Sequence, residues 1–356
     1  MKKRVLVGMS GGVDSSVTAA LLKKRGYEVI GITFQLLPKE SEKTSSCCNL
    51  NSVNDAKRVC SKLKIPHYTL NIRDIFKKNV IHTFINEYSL GLTPNPCVEC
   101  NRHIKFNVLQ EKAIELKADY VATGHYCKIT KNNSKSKFFL KKAKDPKKDQ
   151  SYFLYMLTNK QLSQTLFPLG NYLKSDIKNM ALKMNLITAK KKESQDICFI
   201  THGSYKDFIE KQFENKGVGP GPIKDLSGNY LGTHSGISHY TIGQRKGLKI
   251  AHKKPLYVIK INSQENTIIV GEEDHLASSI ITISKVSLVN TDKLPKTKFY
   301  QVKTRYQMTP FMGKIIKQTA STITVKSVSP QKFVTPGQSC VIYDLDTVIG
   351  GGIIVK

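Results

Sequence analysis

The sequence predicts an α/β protein that begins with a doubly wound parallel sheet and continues into a small β-rich central domain and a C-terminal β-barrel. In the first third, short apolar runs alternate with amphipathic helical patterns, as in parallel sheets covered by helices on both faces. After about Gly203, short alternating β runs rich in Gly and Pro replace the helices. These runs fit a barrel or a sandwich, of which we predict the barrel.

Hydrophobic periodicity and turn residues place the individual elements. The predicted parallel strands span residues 4–9, 28–34, 67–70 and 120–124, with helices over 15–25, 52–63 and 104–116. Residues 38–51 are polar and are predicted to form a mobile loop. Farther along, we predict a hairpin over 126–140, helices within 151–186, a linker at 217–221, and strands within 280–289, 314–328 and 339–343.

A chain of 356 residues exceeds one typical domain. The changes of pattern place three domains at residues 1–203, 204–275 and 276–356. No apolar run is long enough to span a membrane, and the basic start Met1–Arg4 lacks the apolar core of a signal peptide. We therefore expect a cytoplasmic protein without a membrane partner.

Positive charge dominates the composition, with 56 Lys and Arg against 27 Asp and Glu and a net charge of +29. Such an excess favours a polyanionic partner, because basic side chains that contact phosphates release condensed counterions. An alternative is the codon bias of AT-rich genomes, which enriches Lys and Asn without any partner. The charge thus indicates nucleic acid without establishing it.

The strongest chemical signal is a Gly- and Ser-rich turn between the first strand and the first helix. Glycines allow a phosphate to approach the backbone closely, and the N–H groups at a helix start bind it. Asp14 could hold Mg²⁺ or orient the loop, and no Walker A lysine follows. The bland alternative is an ordinary capped βα turn. The turn consists of Gly8, Met9, Ser10, Gly11, Gly12, Val13, Asp14, Ser15 and Ser16.

A Cys-x-x-Cys pair, Cys97 and Cys100, follows two prolines and leads into a helical pattern. A thiol at a helix start, close to basic residues such as Arg102 and Lys105, is favoured as a reactive thiolate. A zinc half-site and a purely structural turn are the alternatives, and the sequence has no second Cys-x-x-Cys to complete a zinc site.

The other cysteines differ in their surroundings. Cys198 lies between apolar residues, where a cysteine taken alone is usually part of the core. For the remaining five, packing or incidental placement is the better interpretation: Cys47, Cys48, Cys60, Cys127 and Cys340. In a cytoplasmic protein we expect cysteines to be reduced.

The phosphate loop resembles that of the PP-loop ATP-pyrophosphatases, which are adenine nucleotide alpha hydrolase-like. Together with the cysteine segments, the chain resembles the tRNA-specific 2-thiouridylases along essentially its whole length. The segments that carry this resemblance are Gly8–Ser16, Thr93–Phe106, Ala122–Tyr126, Lys148–Leu154, Leu166–Gly170, Thr188–Ile200, Tyr240–Leu248, Lys303–Tyr306, Thr335–Gln338 and Gly350–Gly352.

The resemblance implies an activity and its cofactors. ATP, used with Mg²⁺, would be cleaved between its α and β phosphates, and the C2 oxygen of the wobble uridine would become an adenylate. The implied ATP-binding residues are the loop from Gly8 to Ser15, with Phe34 at the adenine and Gly124 near the nucleotide. Residues 1–203 would then be the catalytic domain and 276–356 a tRNA-contacting barrel.

The same resemblance assigns the thiols. Cys198 would carry a persulfide received from a sulfur carrier or a cysteine desulfurase, and Cys100 would be the nucleophile that ends in a disulfide with Cys198. Some relatives have Asp at position 97, so the role of Cys97 stays open. An alternative is that Cys97, Cys100 and Cys198 together hold an iron–sulfur cluster.

The resemblance also implies a tRNA interface, with the tRNAs for Glu, Gln and Lys as expected substrates. A cation and an aromatic ring, as in Arg305 and Tyr306, suit a flipped nucleotide. The rival functions are an amidating or ligating synthetase of the same superfamily and a non-catalytic tRNA-binding protein. The implied tRNA-binding residues are Asn95, Pro96, Cys97, His125, Lys148, Asp149, Gln150, Arg305, Tyr306 and Gln338.

Overall fold

The computed structural model describes residues 2–37, 50–132, 136–191, 197–200, 203–213 and 219–355. The chain divides into two compact units. Unit 1 comprises Met1–Val80, Cys97–His202 and Asp346–Ile349, and unit 2 comprises Ile81–Pro96, Gly203–Leu345 and Gly350–Lys356. Our division into three domains stays a prediction. Among the described residues, no helix combines the length and the apolar character needed to cross a membrane.

Unit 1 is built on a parallel sheet of five strands in the order β3-β2-β1-β4-β7. The strands are β1 (Arg4–Gly8), β2 (Glu28–Gln35), β3 (His67–Asn71), β4 (Tyr120–Ala122) and β7 (Thr165–Leu166), and the hairpin is β5 (Lys128–Asn132) and β6 (Lys137–Lys141). The predicted doubly wound sheet and the hairpin are therefore confirmed. The two-residue strand β7 lies within a region that we predicted to be helical.

Helices cover both faces of this sheet. The helices of unit 1 are α1 (Val13–Lys24), α2 (Leu50–Lys62), α3 (Arg73–Phe76), α5 (Pro96–Glu99), α6 (Asn107–Glu115), α7 (Asn159–Ser163) and α8 (Lys174–Lys183), with a 3₁₀ turn at Ser151–Leu154. Buried side chains of α1, α2 and α8 pack with Val5 and Val7 on one face. Leu109 and Ala113 of α6 pack with Leu6 and Val121 on the other. The alternation along β1 thus supplies both halves of the core.

Unit 2 contains a four-stranded sheet and a closed barrel. The sheet has the order β10-β11-β8-β9, and the barrel β12-β15-β14-β13-β16-β17 is closed by pairing of β12 with β17. Its helices are α4 (His82–Ser89) and α9 (Tyr205–Phe213), with 3₁₀ turns at Ile237–His239 and Glu273–Leu276. Its strands are β8 (Gly221–Lys224), β9 (Tyr230–His234), β10 (Tyr257–Asn262), β11 (Thr267–Gly271), β12 (Ser278–Leu288), β13 (Phe299–Lys303), β14 (Phe311–Gln318), β15 (Ile323–Gln331), β16 (Ser339–Asp344) and β17 (Thr347–Ile354), of which residues 350–354 belong to unit 2.

The barrel confirms the predicted C-terminal architecture, and several element boundaries differ from the prediction. The strand pattern over 314–328 is a hairpin of β14 and β15. Gly221, which we assigned to a linker, begins β8, whereas residues 214–218 lie outside the described residues. Most of the predicted loop, residues 38–49, also lies outside them, and α2 already begins at Leu50.

Candidate functional site

The phosphate loop joins β1 to α1 and has the geometry of an anion site. Gly12 precedes α1 in extended conformation, and no side chain caps the helix start, so the first N–H groups of α1 face a prospective ligand. Gly11 has φ +67°, and a Cβ added there would lie 2.1 Å from the Ser52 carbonyl oxygen. Only glycine fits this position, which explains the second glycine of the motif.

Serine hydroxyls fix the turn internally. The Ser10 N–H donates to Ser15 Oγ over 3.2 Å, and Ser15 Oγ donates to the Gly12 carbonyl over 3.1 Å. Ser16 Oγ donates to the same carbonyl at 2.8 Å. These bonds satisfy the polar groups of the turn from within and keep its backbone shape before any ligand arrives.

Asp14 is held by two side chains that sequence reasoning missed. Lys174 Nζ lies 2.6 Å and 2.8 Å from the two Asp14 carboxylate oxygens. The Tyr126 hydroxyl donates to Asp14 Oδ1 over 2.8 Å. Tyr126 belongs to a segment that carried the family resemblance, but nothing in the sequence pointed to Lys174, which lies 160 positions from Asp14.

The segment after β4 packs directly against the start of α1. A Cβ added to Gly124 would lie 2.9 Å from both the Asp14 carbonyl carbon and the Ser15 nitrogen. Gly124 therefore adjoins the loop, and its predicted place near the nucleotide stays a prediction. Phe34, in contrast, is partly buried against the core on the α6 face of the sheet.

Two further side chains tie residues 188–191 to the phosphate loop. Thr188 Oγ1 donates to Ser16 Oγ over 3.0 Å in a buried contact. Lys191 Nζ donates to the Gly11 carbonyl over 3.1 Å and lies 2.8 Å from Asp55 Oδ2. The sequence motif around Cys198 thus begins at the phosphate loop, a placement that only the fold reveals.

Cys97 and Cys100 lie in the first turns of one continuous helical segment. The segment begins at Pro96, passes through a π-helix over Cys100–Phe106 and ends with α6, so it starts eight residues earlier than predicted. Cys97 is exposed, whereas Cys100 is 7% exposed. The His103 ring lies 3.2 Å from the Glu99 carboxylate. A π-helical turn at such a position is a frequent feature of functional sites.

Cys198 is half-buried in a short turn. The next residue, Phe199, is 4% exposed and packs edge-to-face on Phe76 of α3, with ring centroids 5.8 Å apart. The helix α3 also lies against the π-helical turn that contains Cys100. Both cysteines therefore belong to segments that flank α3.

The other described cysteines are unsuited to reaction. Burial raises the pKa values of Cys60 and Cys340 to about 12 and raises the pKa of Cys127 well above its usual value. A buried thiol with a raised pKa is a poor nucleophile. Cys47 and Cys48 lie outside the described residues.

No three His, Cys, Asp or Glu side chains of the described residues are arranged to hold a metal ion. Cys97, Cys100 and Cys198 are all described and do not form such a group in this structure. The iron–sulfur alternative stays a prediction.

The predicted tRNA-binding residues of unit 1 are largely packed inward. Asp149 is buried and accepts hydrogen bonds from the Ala143 N–H at 3.0 Å and from Ser151 Oγ at 2.9 Å. Gln150 Oε1 accepts from the Tyr126 N–H at 2.9 Å, and Lys148 is half-exposed. Asp149 and Gln150 thus shape the backbone around Lys148.

His125 is 8% exposed and packs against both Phe106 and Phe167, with Nδ1 2.8 Å from Thr123 Oγ1. Burial, assisted by the positive charge of Lys105, lowers the pKa of His125 well below its usual value. The folded protein therefore keeps this ring neutral at pH values where the unfolded chain protonates it.

This difference predicts a pH-dependent stability. As pH falls below about 6.5, the unfolded state binds a proton that folded His125 refuses, so the free energy of unfolding should fall by up to about 1.4 kcal/mol per pH unit. His125→Asn, which keeps a polar group near Thr123, should flatten this decline in urea unfolding measured from about pH 7 to about pH 5. His252→Asn, on an exposed loop, is the control; equal slopes for the wild type and His125→Asn would contradict the prediction.

The predicted tRNA-binding residues of unit 2 gather at one end of the barrel. Arg305 Nη2 donates to Thr335 Oγ1 over 2.7 Å and its guanidinium lies over the Phe333 ring. Gln338 Nε2 donates to the Thr93 carbonyl over 3.0 Å, which joins this end to the segment that contains Asn95. Tyr306 and Asn95 are both half-exposed.

Comparison with known proteins identifies the family. The tRNA methyl transferase HUP domain model matches residues 3–202, the tRNA methyl transferase PRC-barrel domain model 206–272, and the aminomethyltransferase beta-barrel domain model 278–354. The tRNA-specific 2-thiouridylase MnmA of Acetivibrio thermocellus is 46% identical over 99% of both chains. The relative of the same name from Clostridioides difficile is 45% identical over all of this chain and 99% of its own. Since full-length relatives at this identity share one name, the chain belongs to the tRNA-specific 2-thiouridylase family.

Proposed function

We propose that this protein is a tRNA-uridine 2-sulfurtransferase that replaces the C2 oxygen of a wobble uridine by sulfur at the expense of ATP. The observation that carries the proposal is the phosphate loop, an uncapped helix start behind Gly11, in the same unit as two cysteines that flank α3. This chemistry needs two parts: a loop that binds the triphosphate of ATP, and a pair of thiols that transfers the sulfur.

The first half-reaction is the activation of the base. The triphosphate would lie along the N–H groups from Gly11 to Ser15, with Gly124 close by and Phe34 at the adenine. The uridine C2 oxygen attacks the α phosphorus, and pyrophosphate leaves with the electrons of the broken P–O bond. Mg²⁺ bound to the phosphates would neutralise this leaving group. The adenylated oxygen withdraws electrons from C2, so that C2 becomes electrophilic. It can also depart as part of AMP, which is a better leaving group than oxide.

The second half-reaction moves the sulfur. The terminal sulfur of a Cys198 persulfide attacks C2 and AMP departs. The Cys100 thiolate then attacks the Cys198 sulfur, which leaves the transferred sulfur on the base and a Cys100–Cys198 disulfide. The two cysteines together lose the two electrons that reduce the persulfide sulfur to the oxidation state of a thiocarbonyl. A cellular reductant must restore both thiols before the next turnover.

An iron–sulfur route would use Cys97, Cys100 and Cys198 as ligands. The proposal follows the persulfide route, in which no step passes through a cluster. Cys97 is exposed at the start of its helix, and a contact with the target base is consistent with that position.

The predicted tRNA-binding residues belong to both units. Those with exposed side chains would contact the tRNA directly, and the buried ones would shape the surface around them. Arg305 and Tyr306 combine a cation with a half-exposed ring, which suits stacking of an extruded base. Lys148 supplies a phosphate contact, while His125, Asp149 and Gln150 shape the surface from inside. The net charge of +29 supports a nucleic-acid substrate.

The expected substrates are the tRNAs for Glu, Gln and Lys, and the expected sulfur source is a persulfide-donating carrier or cysteine desulfurase. We propose that the enzyme works in the cytoplasm. The tRNAs and the sulfur source are expected there, and so are the reducing conditions that keep the thiols reduced.

The proposal is tested by incubating the protein with unmodified glutamate tRNA, MgATP and a persulfide donor, namely a cysteine desulfurase supplied with cysteine. The RNA is then run on a mercury-containing gel, which retards thiolated species, and AMP is measured in parallel. We expect a retarded band that depends on ATP. AMP formation without thiolation would favour an amidating or ligating synthetase, and tRNA binding without AMP would favour a non-catalytic tRNA-binding protein.

A further inference from the structure

The carboxylate of Asp14, inside the phosphate loop, is engaged before any nucleotide is present. Lys174 Nζ contacts both of its oxygens at 2.6 Å and 2.8 Å, and the Tyr126 hydroxyl donates to Oδ1 over 2.8 Å. The Lys174 ammonium also lies 5.5 Å from the centre of the Tyr126 ring. Asp14 thus joins the start of α1 to the segment after β4 and to α8.

Burial makes this arrangement specific. The Lys174 side chain is only 10% exposed and that of Asp14 is 29% exposed. An ammonium taken out of water needs a counter-charge, and removing either partner of such a pair leaves the other charge uncompensated. Each group therefore fixes the position of the other.

The backbone of Lys174 is anchored as firmly as its side chain. It is the first residue of α8, its N–H donates to Asp145 Oδ2 over 3.0 Å, and α8 packs against α1. Gly124, which adjoins the loop, and Tyr126, which holds Asp14, are only two residues apart. The shape of the phosphate loop and of the segment beside it thus depends on the ion pair between Lys174 and Asp14.

We propose that Lys174 is a positioning residue of the phosphate loop: it neutralises and orients Asp14, so that Asp14 braces the loop and does not bind the magnesium of MgATP. This inference rests on the proposed use of ATP. Without Lys174, a bare carboxylate would stand at the edge of a site for a triphosphate, and like charges would repel at short range. The magnesium would be held by phosphate oxygens and water, as is usual for this ion.

The test is the affinity for ATP, measured by calorimetry with and without Mg²⁺, for the wild type, Lys174→Met, Lys174→Arg and Asp14→Asn/Lys174→Met. We expect Lys174→Met to weaken MgATP binding by on the order of tenfold or more. Lys174→Arg should lie closer to the wild type, and the double variant should recover affinity because the bare charge is gone. Lys178→Met, on the exposed face of the same helix, should bind like the wild type.

Unchanged or tighter MgATP binding by Lys174→Met would overturn the proposal, because a carboxylate released from Lys174 would then be serving the metal. If Lys174→Met does not fold, Asp14→Asn decides: the Mg²⁺ concentration needed for half-maximal ATP binding should stay the same, and a large increase would assign Asp14 to the metal. Binding is read without turnover. An absence of thiolation in the wild type would therefore count against the proposed function and leave this result interpretable.

Discussion

Replacing Cys198 by Ser should abolish thiolation, lowering its rate by roughly three orders of magnitude or more, while ATP binding is kept. Cys198 sits in a half-buried turn that is anchored by Phe199 on Phe76, so a serine of nearly equal size should leave the fold intact. It removes the only atom able to carry a persulfide at that position. The rate is read as the retarded tRNA band over time.

Cys100→Ser separates the two thiols. It should block thiolation to a similar degree, yet mass spectrometry after exposure to a persulfide donor should still find an added sulfur atom on Cys198. Cys340→Ala, in the barrel strand β16, is the control and should keep thiolation, since that thiol is buried with a pKa of about 12. Thiolation that survives Cys198→Ser would rule out the persulfide role, and a Cys100→Ser variant of full activity would rule out the disulfide step.

Gly11→Ala should weaken ATP binding, raising the dissociation constant at least about tenfold. The new methyl group would lie 2.1 Å from the Ser52 carbonyl oxygen and 2.8 Å from its carbon, at a φ of +67°. Both atoms belong to the backbone and cannot swing away, so the loop itself must shift. We expect a loss of about 1–3 kcal/mol in the free energy of unfolding as well.

Gly26→Ala is a matched control for Gly11→Ala. Gly26 has φ +87° and nothing within 4 Å of an added Cβ. The control should lose about 1–2 kcal/mol of stability from the backbone conformation alone and bind ATP normally. Calorimetric titration of both variants measures the affinity for ATP, and urea unfolding measures the free energy of unfolding. Together they separate the cost of backbone strain from the loss of the ATP site. Equal ATP affinity in Gly11→Ala and the wild type would contradict the proposed placement of the phosphates.

The framework of unit 1 was predictable because its signals are local. Short apolar runs such as those at β1 and β2 are recognisable as buried strands from the residues themselves. A Gly- and Ser-rich turn between a strand and a helix is typical of a phosphate site. The C-terminal barrel was predictable as a class of β structure, although the boundary between β14 and β15 was not. A turn of ordinary polar residues carries little local signal.

The start of the cysteine helix was mispredicted for an identifiable reason. Pro94 and Pro96 indicated a rigid approach to the helix, but proline at the first helical position is favourable because its missing N–H has no partner there in any case. Pro96 therefore begins the helix and places both cysteines within it. The π-helical turn that begins at Cys100 is formed by backbone hydrogen bonds between residues i and i+5. These bonds produce no recognisable hydrophobic pattern in the sequence.

By itself, the sequence determined the parallel sheet, the Gly- and Ser-rich loop and the family, because each depends on neighbouring residues or on an ordered set of motifs. Only the tertiary structure decided that Lys174 meets Asp14, that His125 packs against Phe106 and Phe167, and that Lys191 reaches the Gly11 carbonyl. Burial and charge pairing are properties of chain segments brought together across long separations. They arise when the segments pack, and no local pattern encodes them.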